Sequence, residues 1–308
     1  TGGSRVTDGF RRYLRAKRTV DNRALDRRLL GKLREGLTEH DGTEPLSVLE
    51  IGAGIGTMVT RFLEWDILPA AEIRYTAVDI QQSNVDALPE QLRRWAGDCS
   101  VTVEDGDGTV MLSGPERRVV VEPVAADAVE HIRQEPTDCD LLVGAALLDI
   151  IDDVALPTLL SALDAGGLYY VPLTFDGGTR FRPSHPDDDA IERAYHEHMD
   201  TKPGGNSRAG SAVLARLHGL PGVSVDAAGS DWVVVPEDGA YPADEAYFLE
   251  YILDTVEQAL GELDCGQQDT LDAWLAARRE QLDAGELLYT THQLDLFGRV
   301  TDPTALSG

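Results

Sequence analysis

An apolar run, Val48-Leu-Glu-Ile51, passes directly into Gly52-Ala-Gly54-Ile-Gly56 and then into a helical pattern from Thr57. Glycine turns the backbone where other residues are strained and lets a ligand approach the main chain closely. The helix that follows presents free N–H groups to a polar or anionic group. A strand, a glycine turn and a helix in this order need partners of the same kind, and the chain supplies them. Strands are expected at Leu46–Ile51, Ile73–Val78, Val119–Val124, Leu141–Ala145 and Leu168–Leu173. Helices are expected at Thr57–Glu64, Ser83–Trp95, Ala128–Ile132 and Ala155–Leu163, the last stopped by Gly166-Gly167. Such alternation predicts an α/β fold with a parallel sheet.

Other segments depart from the alternation. Residues 5–39 read as helix, with a break near Val20–Asn22, because Phe10, Leu14, Leu25, Leu29, Leu30, Leu33 and Leu37 recur at helical spacing. Val101–Leu112 reads as a hairpin around Asp105-Gly-Asp-Gly108. After residue 176 a Gly-, Pro- and Asp-rich loop leads to helices at Ile191–Met199 and Ser211–His218 and a strand at Trp232–Val235. Long helices at Asp244–Leu260 and Thr270–Leu282 and a last strand at Leu287–Leu296 complete the pattern. The organisation expected is an N-terminal helical arm or lid (1–40) on one α/β domain (41–308). That domain carries insertions at 101–118 (hairpin), 176–208 (loop and helix) and 243–286 (helices).

Charge divides along the same line. The 308 residues carry 54 Asp+Glu against 27 Lys+Arg, a formal net charge of −27, yet residues 1–40 hold 11 basic and 5 acidic residues. Lys occurs three times and Asp 33 times. Carboxylates in such number repel one another unless salt screens them, so an acidic protein of a halophilic, high-salt cytoplasm is expected. A nucleic-acid partner is not expected, since phosphates need a basic face. No apolar run nears the roughly 18 residues of a membrane span, and no secretory signal is read. Cys99, Cys139 and Cys265 form no CxxC pair, which fits a reducing compartment.

Position sets a few carboxylates apart. Glu50 ends the first strand just before the glycines. Asp79 ends the second strand, where a carboxylate can accept both hydroxyls of a ribose, or cap a helix. Asp127-Ala128 follows the third strand, where an acid and a backbone N–H can meet an adenine edge, although Asp127 also reads as one more solvated acid. Thr57 stands where a dinucleotide fingerprint needs its last glycine, which disfavours a nicotinamide-dependent oxidoreductase.

Leu49-Glu-Ile-Gly-Ala-Gly-Ile-Gly56, with Asp79, Asp127-Ala128 and Asp140-Leu-Leu-Val-Gly-Ala-Ala-Leu-Leu-Asp149, resembles the class I S-adenosylmethionine-dependent methyltransferases over roughly residues 46–175. The resemblance implies a Rossmann-like, doubly wound sheet of seven strands, mostly parallel with the last reversed. It implies S-adenosylmethionine as cofactor, with Glu50, Gly52, Ala53, Gly54, Gly56, Asp79, Ile80, Asp127, Ala128 and Ala145 as its contacts. Trp232–Val235 and Leu287–Leu296 are the expected sixth and seventh strands, held apart by the helical C-terminal insertion.

Methyl transfer from a sulfonium needs alignment and exclusion of water, and a base only where the acceptor loses a proton. Acids near the strand ends, Asp149 and Asp176, are the catalytic candidates. Gly144-Ala-Ala-Leu-Leu-Asp149 lacks the signatures of nucleic-acid amino- or cytosine-carbon enzymes, so a small-molecule acceptor is expected. Tyr13, Arg11 and Arg15 of the arm are the lid candidates. The arm's basic residues could meet an anionic group or bridge onto the acidic body. They could also dock an RNA or protein acceptor, and a non-catalytic cofactor-binding module is the remaining alternative. No metal site is expected: on a helix, His196 and His198 lie about 200° apart, and Asp105-Gly-Asp-Gly108 lacks the later ligands of a calcium loop.

Overall fold

The computed structural model describes residues 2–40, 42–135, 138–263 and 268–306. Three helices open it: α1 (Gly2–Ala16), α2 (Arg18–Ala24) and α3 (Arg27–Leu37), where the sequence pattern shows one break rather than two. The breaks fall at Lys17 and at Leu25–Asp26, and the Asp26 side chain caps α3 by accepting from the Leu29 N–H. Next come β1 (Leu46–Ile51), α4 (Thr57–Glu64), β2 (Glu72–Asp79), α5 (Gln82–Ala96), the hairpin β3 (Thr102–Asp105) and β4 (Val110–Ser113), β5 (Arg118–Ala125) and α6 (Ala128–Gln134). Then follow β6 (Cys139–Val143), α7 (Leu156–Leu160), β7 (Leu163–Phe175), β8 (Arg180–Arg182), α8 (Asp188–Thr201) and α9 (Ala209–Gly219). The chain closes with β9 (Asp226–Gly229), β10 (Trp232–Val234), α10 (Glu245–Glu262), α11 (Gln268–Asp283), β11 (Leu288–Thr291) and β12 (Gln293–Arg299).

Nine strands form one sheet in the order β3-β4-β5-β2-β1-β6-β7-β12-β9. Without the edge hairpin, the seven strands numbered by chain order run 3-2-1-4-5-7-6. The pairs from β5 to β7 are parallel, whereas β12 is antiparallel to both β7 and β9. This is the doubly wound α/β sheet with a reversed last strand that the sequence resemblance implies.

Three assignments change. The sixth strand is β9, Asp-Ala-Ala-Gly, whose small residues give no alternating pattern. Trp232–Val234 belongs instead to a second sheet, β10-β11-β8. The expected single strand at Leu287–Leu296 is two, because the chain changes sheets at His292. Gly166-Gly167 does not end a helix. It lies inside β7, with Gly166 at φ +87, where the register against β6 shifts.

Apolar cores cover both faces. Leu46, Val48, Ile73 and Tyr75 pack with α2 to α5 and with α10 and α11. Leu49, Ile51 and Leu142 pack with α6, α7 and α9. Val20, Leu25, Leu29, Leu30, Leu33 and Leu37 of the arm are all buried in the first of these cores. Burying side chains of this kind is worth about 1.5–3 kcal/mol each, against roughly 0–1 kcal/mol for an exposed ion pair. The arm is therefore held chiefly by its leucines. Among the described residues no helix is long and apolar enough to cross a membrane. Cys99 is exposed, Cys139 is buried in β6, and Cys265 lies outside the described residues.

Candidate functional site

The glycine loop sits between β1 and α4. Gly52, Gly54 and Gly56 have φ of +65°, +57° and +80°, so all three positions need glycine's freedom. Gly56 is the N-cap of α4 and brings no side chain to cap it. Its first amides are thus open toward the loop.

Asp79, at the end of β2, ties the loop down. Its Oδ2 accepts the Gly54 N–H at 2.8 Å, while its Oδ1 accepts the Gln81 N–H at 2.8 Å and Asn84 Nδ2 at 3.1 Å. Asn84 is buried, and its Oδ1 finds no hydrogen-bond partner among the described residues. A buried acceptor left unpaired costs about 1–3 kcal/mol. α5 begins one residue before the expected Ser83, with Gln81 as its N-cap. Next to Asp79, Ile80 is 71% exposed, an apolar side chain offered to solvent at the mouth of the cradle.

Other expected contacts lie around this centre. Asp127 caps α6, accepting the Glu130 N–H at 2.9 Å, with Ala128 at the first helical position. The Ala126 N–H donates to the Asp79 carbonyl and the Ala53 N–H to the Val78 carbonyl, which fastens the ends of β5 and β1 to β2. Ala145 is half-buried where the chain leaves β6, and the next residue, Ala146, takes φ +51. A non-glycine residue in that region is strained. The following residue, Leu147, lies against Gly52, where an added Cβ would come 2.8 Å from Leu147 Cδ1.

Glu50 is brought beneath the loop. Its side chain is buried on the face of Val48, and its Oε2 accepts the Tyr75 hydroxyl at 2.7 Å. Burial pushes its carboxyl up to about 8, opposed by the Tyr75 hydrogen bond and by the charge of Arg61. Arg61, itself buried, donates to Asn22 Oδ1 at 2.8 Å and lies 3.5 Å from Asp21 Oδ2. This chain of polar contacts couples the arm to the first turns of α4.

The arm lies over the loop in a different way from that expected. Leu14, not Tyr13, reaches it: a Cβ on Gly54 would meet Leu14 Cδ1 at 3.3 Å. Successive helical residues point about 100° apart, so Tyr13 turns inward and stacks on Tyr251 at 4.2 Å. Arg12 binds Asp244 through two hydrogen bonds, Arg23 does the same with buried Glu245, and Arg18, Lys32 and Arg34 pair with Glu64, Asp226 and Asp66. These residues take the bridging reading of the basic arm. Arg15 is different. Partial burial, then the charges of Arg94, Arg11 and Arg12, push its guanidinium down.

Asp149 follows β6 in the loop that faces the arm. Its Oδ1 is inaccessible to solvent and has no hydrogen-bond partner among the described residues. Burial raises its carboxyl, and a hydrogen bond from its own backbone N–H, then the ammonium of Lys17, oppose the shift. Lys17 is buried too, 3.4 Å from Asp21. Asp176, the second catalytic candidate, is committed elsewhere. Its Oδ1 accepts both the N–H and the hydroxyl of Ser211, at 2.9 and 2.8 Å, in the first turn of α9. His196 Nε2 meets Thr179 Oγ1 at 3.1 Å and His198 Nε2 meets Glu262 Oε2 at 2.9 Å, so the two rings serve different neighbours. Among the described residues no group of three His, Cys, Asp or Glu is placed to hold a metal ion.

No family model matches the chain, and no curated protein matches it. Solved structures align with it. A candidate methyltransferase from Bacillus halodurans aligns with 88% of this chain and 100% of its own, at 12% identity and a TM-score of 0.48. The cyclopropane synthase MmaA2 of Mycobacterium tuberculosis aligns over 86% of this chain and 83% of its own, at 12% identity and a TM-score of 0.42. A candidate sarcosine dimethylglycine methyltransferase from Galdieria sulphuraria covers 89% of this chain and 86% of its own, at 14% identity and a TM-score of 0.40. These likenesses concern the fold alone, and the chemistry has to be argued from this chain's own residues.

Proposed function

We propose that the chain is an S-adenosylmethionine-dependent methyltransferase acting on a small-molecule acceptor. The observation that carries this reading is the cradle at the start of α4, in which three positive-φ glycines follow β1 and the Gly54 N–H is held by the Asp79 carboxylate. The strand order supports it against a nicotinamide-dependent oxidoreductase, since the antiparallel β12 lies between β7 and β9, whereas a dinucleotide sheet runs 3-2-1-4-5-6.

The residues fit the cofactor's parts. The glycines and the open amides of α4 suit the amino-acid portion. Asp79 offers a carboxylate for ribose hydroxyls. Ile80 offers an apolar face for adenine, with Asp127 and Ala128 at its edge. Bound there, S-adenosylmethionine would supply a sulfonium methyl for in-line transfer to a nucleophile, leaving S-adenosylhomocysteine and, from a protic acceptor, one proton. Asp149 is the group suited to take that proton, because its Oδ1 is buried without a partner among the described residues and burial raises its carboxyl. Asp176 has no part in this reading, since its carboxylate holds α9.

A small acceptor is favoured over RNA or protein because the arm's cations are largely spent on the body's own acids. The acidity is read as adaptation to a high-salt cytoplasm. The test is calorimetry of the full chain with S-adenosylhomocysteine and with NAD in molar KCl. Binding of the first alone is expected; binding of NAD alone would sink the reading.

A further inference from the structure

The N-terminal arm is held in two different ways on either side of Lys17. After that residue it is part of the core: Val20, Leu25, Leu29 and Leu33 are all buried. Lys17 itself is buried, with its ammonium 5.3 Å from the centre of the Trp232 ring and 3.4 Å from Asp21 Oδ2. Before it, none of the residues from Gly9 to Arg15 is buried. The arm thus has a part inside the core and a part, α1, lying on the body.

Contacts with the start of α10 hold α1 down. Arg12 gives Asp244, the N-cap of α10, two hydrogen bonds at 2.9 and 2.8 Å, and both side chains are about half exposed. The same guanidinium lies 3.8 Å over the ring of Tyr247, whose hydroxyl donates to the Gly9 carbonyl at 3.0 Å. One turn further along α10, Tyr251 stacks on Tyr13. Exposed pairs and half-buried rings hold less than a row of buried leucines. Local opening starts where buried apolar contacts are fewest, so α1 opens before α2 and α3.

What α1 covers is the glycine loop. Among the described residues, and leaving out its chain neighbours, Leu14 Cδ1 is the one heavy atom within 4 Å of a Cβ built on Gly54. Lys17 follows Leu14 by one turn on the same helix face, so the joint lies beside the part of the loop that Leu14 covers. Lifting α1 at that joint bares the Gly54 backbone and leaves its hydrogen bond to Asp79 in place.

We infer that α1 alone, not the whole arm, is a gate over the glycine loop. It is latched to α10 by Arg12 and Tyr247, opens at Lys17 while α2 and α3 stay docked, and admits the cofactor's amino-acid portion beneath it. The inference rests on the methyltransferase reading for what enters; the opening of α1 is tested without a ligand. A site competent only when open is entered in proportion to its open fraction, so a weaker latch speeds entry. The double variant Asp244→Ala/Tyr247→Phe removes the latch hydrogen bonds and keeps the ring under Arg12. Arg34→Ala, which breaks an exposed pair of α3 with Asp66, is the control. Hydrogen exchange is followed by mass spectrometry on the ligand-free full chains at one salt concentration. Protection of residues 9–16 is expected to be at least tenfold lower than that of residues 31–37, and to fall at least threefold further in the double variant only. Equal protection of the two segments, or no change in the double variant, would overturn the gate. In stopped-flow measurements the double variant should bind S-adenosylhomocysteine at least threefold faster than the parent chain and Arg34→Ala at the parent rate. An unchanged rate in the double variant would overturn the gate as well, because entry would then not pass α1. If calorimetry shows no S-adenosylhomocysteine binding to the parent chain, the methyltransferase reading fails, and hydrogen exchange still decides whether α1 opens alone.

Discussion

The Gly54 amide donates a 2.8 Å hydrogen bond to Asp79 Oδ2, so the glycine loop and the end of β2 are fastened by a charge-assisted contact. Hydrogen bonds to charged groups contribute roughly 1.5–3 kcal/mol, and Asp79 accepts three of them, including those from Gln81 and Asn84. Asp79→Ala should lower the affinity for S-adenosylhomocysteine at least tenfold by calorimetry and lower the Tm. Asp79→Asn is the sharper test. Its Oδ1 can still serve Gln81 and Asn84, but an amide nitrogen cannot accept from Gly54. It should therefore weaken binding while keeping more of the stability than Asp79→Ala. Equal affinity in both variants and the parent chain would mean that the cradle is not the cofactor's.

The cradle was legible in the sequence because backbone demands write themselves into residue type. Gly52, Gly54 and Gly56 all take positive φ, and Asp79 stands at the strand end where an acid is needed. The rest was hidden for physical reasons. β9 is built of small residues and has no period to read, whereas Trp232–Val234 has a strand's composition but pairs outside the main sheet. Leu14 and Tyr13 are adjacent, and only the helix's rotation decides which one covers Gly54. The roles of Asp149 and Asp176 depend on what lies opposite: Asp149 Oδ1 has no hydrogen-bond partner among the described residues, whereas Asp176 Oδ1 holds Ser211.

Asp149→Asn keeps the shape of the loop after β6 and removes the proton acceptor. If Asp149 takes the acceptor's proton, turnover should fall by about 10²–10⁴ with S-adenosylhomocysteine affinity nearly unchanged. The rate should also lose its dependence on the raised carboxyl, becoming flat on the acidic limb of its pH profile. Turnover within twofold of the parent chain, measured with labelled cofactor once an acceptor is found, would exclude that role.

Glu245 is fully buried and accepts two hydrogen bonds from Arg23 and one from Thr19 at 2.6 Å, joining the arm to α10. Removing the acid by Glu245→Ala leaves Arg23, half exposed, able to reach water. The cost should thus fall below the roughly 3–5 kcal/mol seen when a buried pair is broken with its partner trapped. Urea unfolding should register a loss of about 1–3 kcal/mol, with earlier proteolysis within residues 9–24. A variant as stable as the parent would show that the arm's apolar face alone fixes it.

Salt should act in two opposed ways. It weakens exposed pairs such as Arg12–Asp244 and Arg34–Asp66, each worth little, and it screens the mutual repulsion of an excess of 27 negative charges. The second effect is the larger, so the Tm should rise from 0.1 to 2 M KCl, by about 2–4 °C for each ~1 kcal/mol of repulsion relieved. A Tm that falls over that range would remove the reading of the acidity as adaptation to brine.

Glu50 sets a pH dependence whose sign follows from its burial. Its carboxyl titrates at about 8 in the folded chain against 4.5 when unperturbed. Between those values the folded state holds a proton that the unfolded state has released, so stability falls as pH rises through that window. Asp149 and Asp295 are raised as well, so the parent chain's slope is not Glu50's alone. Glu50→Gln isolates it. The amide oxygen can still accept from the Tyr75 hydroxyl, and it has no charge to desolvate. Below pH 4.5 the two chains should differ little; toward pH 8 the variant should become progressively the more stable in urea unfolding. Parallel curves would mean that Glu50 ionises in place, with Arg61 compensating its charge beneath the glycine loop.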